Sequence, residues 1–197
     1  MLGFISVGGI VGLSILGVVI LLAVILVSWI ISTYNTFIKM RNNVEEAFST
    51  MDVYLKKRYD LVPNLVETVK GYAKHESETL EKVIQARNLA LGSKTPEEKI
   101  KNEQELTSAL KTLFNVVAEQ YPELKANTNF IDLQNQLKLL ENEIANSRKY
   151  YNGIVKGYNT KREVFPSNLI AKWFKFEKSP LYEVDSEEER KNVKVQF

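Results

Sequence analysis

The chain has 197 residues, enough for one domain plus a membrane anchor and too few for two sizeable domains. Its formal net charge of +2, with positive and negative groups nearly cancelling, offers no broad attraction to nucleic acid, so no nucleic-acid partner is expected. It has no cysteine, which excludes a disulfide framework, an iron–sulfur cluster, a thiol nucleophile, a Cys-based zinc site and a lipidated N-terminal cysteine.

No ionised side chain precedes Lys39. Within that stretch residues 10–31 read IVGLSILGVVILLAVILVSWII. As a helix this is roughly 33 Å long, enough to cross a hydrocarbon core. Ser14 and Ser28 can satisfy their hydroxyls on carbonyls of the preceding turn. A cleaved signal peptide would need a basic leader, a shorter apolar core and a small-residue cleavage site, and the segment has none of these. Residues 1–32 are therefore expected to be a single-pass anchor in the cell membrane, in contact with lipid through 10–31. Met1–Gly9 has no basic residue, whereas Lys39, Arg41, Lys56, Lys57 and Arg58 follow the segment. That asymmetry predicts a short N-terminus outside and a cytoplasmic domain. Trp29 and Tyr34 suit the headgroup layer at that end, and the Gly8–Gly12 spacing could let two anchors approach closely.

Beyond the anchor, apolar residues recur at spacings of three and four, the period of an amphipathic helix. One series is Val44, Phe48, Met51, Leu55, Val62, Leu65, Val69 and Tyr72. A second is Ile100, Leu106, Leu110, Leu113, Val117 and Tyr121. A third is Phe130, Leu133, Leu137, Leu140, Ile144, Tyr151, Val155 and Tyr158. No such helix buries its stripe alone, so the expected fold is all-α: a transmembrane helix followed by an up-and-down helical bundle. Helices are expected at about 33–73, 76–91, 96–121 and 128–164. Without a turn at Ala73–Ser77 the bundle has three helices, the first very long. Pro63 lies in phase with its stripe and predicts a kink, because it withholds a donor from the Tyr59 carbonyl. Thr95 before Pro96, with Glu97 and Glu98 favouring the positive helix end, predicts an N-cap, and Thr128 or Asn129 a second one after the break at Pro122–Asn127. Phe165-Pro166-Ser167 makes a third break, followed by a short apolar helix near Asn168–Phe174. The bundle domain is thus expected over 33–176, with a charged, extended tail over 177–197.

Catalytic residues and cofactors are not expected. His75 is the sole histidine and reads as a helix-boundary residue beside Glu76, since one histidine completes neither a zinc nor a di-iron helical motif. The informative polar residues border the apolar stripes. Arg58 and Arg87 fall in phase with them; Gln134, Glu141 and Arg148 are spaced by seven along the seam, with Asn142, Asn152 and Asn159 nearby. These predict either solvated flanks or a partly buried network that fixes helix pairing. The second feature is Leu169–Phe176, where Trp173, Phe174 and Phe176 mix with lysines. It would serve as a partner or membrane surface, or else cap the bundle.

Several stretches together resemble the LemA family: KKRYDLVPNLVETVKGYAKHE at Lys56–Glu76, Ala86-Arg87, LFNVVAEQYPELKAN at Leu113–Asn127 and NFIDLQNQLKLLENEIANSRKYYNGIVKGYN at Asn129–Asn159. Tyr34-Asn35 and Phe165-Pro166 fit as well. Phe48 stands where many relatives have Trp, and Lys175 replaces a frequent Gly. The resemblance implies a bacterial single-pass membrane protein with a helical bundle, often encoded beside membrane proteins of protease and envelope-maintenance type. It supplies no reaction. The expected function is a non-enzymatic interaction or scaffold protein with an unknown protein partner, possible homo-oligomers and no cofactor. The alternative is a membrane-bound hydrolase or transferase with a site inside the bundle.

Overall fold

A computed structural model describes residues 7–72 and 76–182. Its described residues form six helices: α1 Val7–Lys70, α2 Ser77–Gly92, α3 Pro96–Gln120, α4 Pro122–Lys125, α5 Thr128–Glu163 and α6 Ser167–Trp173. The fold class is all-α. The chain divides into two compact units, one of Met1–Asn43 with Gly157–Lys178 and one of Val44–Lys156 with Ser179–Phe197.

The apolar segment and the first amphipathic stripe belong to a single helix. α1 runs without a break from Val7 to Lys70 and continues through Pro63. The expected helix at about 33–73 continues the anchor directly, since nothing in Ser32–Lys39 lacks a helical hydrogen-bonding group or a side chain that tolerates a helix. Ser14 Oγ donates to the Ile10 carbonyl at 3.0 Å, which keeps that hydroxyl satisfied inside the apolar stretch.

α1 ends at Lys70 and α2 starts at Ser77, so the helix is interrupted where the turn was expected. His75 lies outside the described residues, as does the tail from residue 183. The start of α3 is a complete capping box: Thr95 Oγ1 accepts from the Glu98 amide at 3.2 Å, and Glu98 Oε2 accepts from the Thr95 amide at 3.4 Å. The break after Tyr121 contains the one-turn helix α4. α5 is capped by Asn127 rather than by Thr128 or Asn129. Asn127 Oδ1 accepts from the Phe130 amide at 3.1 Å, the reach of a side chain three positions ahead of the orphan donor.

In the Val44–Lys156 unit the core is the set of periodic positions. Val44, Met51, Leu55, Val62, Leu65 and Val69 of α1 are buried with Leu106, Leu113 and Val117 of α3 and Leu137 and Ile144 of α5. Small residues Ala47, Ala86 and Ala90 join them. Leu133, Leu140 and Tyr121 are half-buried, and Tyr72 is exposed, its hydroxyl accepting from Asn127 Nδ2 at 2.9 Å. In the other unit, Phe37 is fully buried, stacked on Phe176 at 4.8 Å and edge-on to Tyr158 at 6.3 Å.

Candidate functional site

Two features draw chemistry-bearing side chains together, one in each unit. The first is a buried ionic cluster in the Val44–Lys156 unit. The phase of α1 turns Arg58 into the core, where it is only 3 % exposed. Its Nη1 lies 3.3 Å from Glu103 Oε2 and 3.4 Å from Glu141 Oε2, and its Nη2 donates to Thr107 Oγ1 at 2.9 Å. Glu103 is completely enclosed, while Glu141 is 46 % exposed. Burial pushes the Glu103 carboxyl above the ordinary carboxylate range against the pull of Arg58. The phenol of Tyr59 is likewise raised, by burial first and then by Glu103. Tyr59 Oη and Glu103 Oε1 are buried atoms that lack a hydrogen-bond partner of regular geometry.

Residues 179–182 close this unit. Tyr182 is buried, its ring 4.3 Å from the Arg148 guanidinium, a cation–π contact. Asn152 holds its backbone at both ends: Nδ2 donates to the Tyr182 carbonyl at 2.9 Å and Oδ1 accepts from the Tyr182 amide at 2.8 Å. Tyr151 Oη donates to the Pro180 carbonyl at 2.9 Å. The segment is thus held at Tyr182 through both polar atoms of a single amide side chain.

The polar residues singled out in the sequence do not form one network. Arg58, Glu141 and Arg148 share the region of Glu103 and Tyr182. Arg87 instead donates through Nε to the Tyr59 carbonyl at 3.2 Å and through Nη1 to Asn88 Oδ1 at 3.0 Å. Gln134 and Asn142 are exposed, and Asn159 is buried in the other unit. Glu103, Thr107 and Tyr182 were not anticipated. Glu103 carried a signal: it falls between Ile100 and Leu106 at the helical spacing, as a carboxylate on an apolar stripe.

The second feature is α6 and its flanks in the Met1–Asn43 and Gly157–Lys178 unit. Phe176 is not a surface residue: it is 7 % exposed, 4.8 Å from Phe37 and 5.7 Å from Tyr34. The end of α6 explains this. The Phe176 amide donates to the Ala171 carbonyl at 2.9 Å and the Lys175 amide to the Lys172 carbonyl at 3.3 Å, with Lys175 in the left-handed region at φ 55°. This is a Schellman ending, which folds the residue after the left-handed one back onto the helix. Phe174 is 4.7 Å from Tyr34 and remains partly exposed; Trp173 is 71 % exposed and stacks on Phe174 at 5.7 Å. Tyr158 Oη donates to the Glu177 carbonyl and Arg162 Nε to the Phe176 carbonyl, each at 2.9 Å, fixing the chain beyond α6.

The sequence model of the LemA family matches residues 47–197. Among curated proteins, the chain is 28 % identical over 141 residues to Protein LemA of Metamycoplasma hominis. That match covers 70 % of this chain and 63 % of the relative, so the chain spans less than two thirds of the relative's length.

Proposed function

The chain belongs to the LemA family, and from that premise we propose that it is a membrane-anchored, non-enzymatic interaction protein whose bundle lies on the cytoplasmic face. The observation that carries the anchor is the state of its apolar side chains. From Ile10 to Val27 the large aliphatic residues are exposed, in a helix whose most apolar window has a mean hydropathy of 3.2 and no buried share. A surface of that size and character finds its partner in lipid. Lys39 and Arg41, on the C-terminal side, favour the cytoplasm for that flank.

Support for a binding role rather than a catalytic one comes from where the charges are used. Glu103, whose carboxyl burial pushes upward, is sealed from solvent and held by Arg58. A group in that position ties α1 to α3 and meets no substrate. A helical bundle on an anchor then acts by presenting its outer faces, to a protein partner or to further copies of itself.

Topology and attachment can be tested together in intact spheroplasts carrying the full chain. Alkaline extraction should leave the protein with the membrane pellet, and added protease should spare the bundle until the cells are lysed. Release by alkali would remove the anchor; digestion without lysis would reverse the orientation.

A further inference from the structure

α6 has apolar residues on two sides. Ile170 and Ala171 are buried inwards, as a helix of a folded unit requires. Yet Leu169 and Trp173, one helical turn apart on α6, are 55 % and 71 % exposed, and Phe165, in the turn that leads into the helix, is 79 % exposed. Three large exposed apolar side chains so close together in the chain call for a second apolar medium.

The position of α6 says which medium. Phe174, at its end, is 4.7 Å from the ring of Tyr34, and Phe176 is 5.7 Å from the same ring. Tyr34 comes three residues after Ile31, the last residue of the apolar segment, an advance of about 4.5 Å along the helix. The aromatic end of α6 is therefore held within one helical turn of the point where α1 leaves its apolar stretch. At this depth a bilayer presents its headgroup layer, where indole and phenyl rings are favoured. The charges around α6 fit the same layer. A surface depression beside it is lined by Arg162, Lys172, Lys175 and Lys178 together with Glu163 and Glu177, a cationic excess of two. Lysines flanking an apolar row can keep their ammonium groups among the phosphates while their stems lie in the apolar boundary.

We propose that α6 and the turn before it are interfacial, placing Phe165, Leu169 and Trp173 in the headgroup layer of the bilayer crossed by α1. The inference rests on the anchor reading above. It gives the protein a second membrane contact, made by the exposed apolar side chains of this unit.

The sequence has two tryptophans, so Trp29→Phe leaves Trp173 as the sole indole. This full-length variant is reconstituted into phospholipid vesicles, with and without bromine on the upper acyl carbons. The protein should float with the vesicles; Trp173 emission should be blue-shifted, quenched by the brominated lipid and shielded from iodide. Adding Phe165→Ser and Leu169→Ser, both at exposed positions, should shift the emission to the red and open it to iodide while the helical circular dichroism is unchanged. Flotation with Trp173 already open to iodide and untouched by bromine would overturn the interfacial helix and leave the anchor standing. Failure to float would overturn both.

Discussion

Arg87 Nε donates to the carbonyl of Tyr59 at 3.2 Å, the carbonyl that a helical amide four residues later would normally take and that Pro63 leaves open. A side chain of α2 thus supplies the donor that α1 lacks. Arg87→Ala is expected to cost about 1.5–3 kcal/mol, the range for a hydrogen bond to a charged group. In a Pro63→Ala background the new amide takes the carbonyl and the cost should shrink, which urea unfolding of the four proteins would measure. Equal costs in both backgrounds would mean that Arg87 acts elsewhere.

The ion cluster sets an order among its carboxylates. Removing Glu103 strands a buried guanidinium, so Glu103→Ala should destabilise by roughly 3–5 kcal/mol. Glu141 is half in water, and Glu141→Ala should cost about 1 kcal/mol or less. Replacing both Arg58 and Glu103 by apolar residues should be milder than either single change, since neither partner is then left charged and buried. Denaturant midpoints decide this, and equal losses for the two glutamates would contradict it.

Tyr182 anchors residues 179–182. Tyr182→Ala should cost about 3–5 kcal/mol, the range for deleting a buried aromatic side chain. Asn152→Leu, which leaves the Tyr182 amide and carbonyl without partners, should cost roughly 2 kcal/mol. Hydrogen exchange at residue 182, whose amide Asn152 holds, should accelerate in Asn152→Leu and in Tyr182→Ala while the α2–α3 pair keeps its protection.

The same segment predicts an alkaline limit. Burial pushes Tyr151 and Tyr182 up to about 12. Their ordinary value is about 10. Because the folded values are raised, their stabilising contribution is complete below the unfolded value and is lost as pH rises from about 10 through 12. Stability should fall across that window, and less so in Tyr151→Phe. Phenolate absorbance followed against pH, with unfolding at each point, checks both the late titration and the slope.

Lys175 occupies a left-handed position that glycine adopts without steric cost. Lys175→Gly is expected to stabilise by about 1 kcal/mol, read as a rise in thermal midpoint. A fall would show that the lysine side chain contributes more than its backbone costs.

Several of these relations were legible in the sequence because they follow from period or local chemistry. The stripes located the buried faces of α1, α3 and α5, and Thr95-Pro96 with Glu98 located the start of α3. Pro63 identified an open carbonyl, although nothing local pointed to Arg87 as its partner. The departure from a frequent glycine at Lys175 corresponds to a backbone angle, a property that a single residue type reveals only when the turn is known. Residues brought together across long separations were less accessible. Arg58 lies 45 residues from Glu103, and Asn152 lies 30 from Tyr182. Periodicity shows that a residue faces inwards; it does not show what it will face. Phe176 was read with its exposed neighbours because composition cannot distinguish the two sides of a Schellman turn.

The hold of Asn152 on Tyr182 also has a consequence for biosynthesis. A ribosome makes the apolar part of α1 first and Tyr182 long afterwards, so Arg148 and Asn152 emerge before the segment that covers them. A nascent or prematurely terminated chain that stops before Pro180 carries the ion cluster without its cover. Full-length and shortened products should then differ in their survival before proteases, and closure of this one segment would mark a chain whose translation has passed that point.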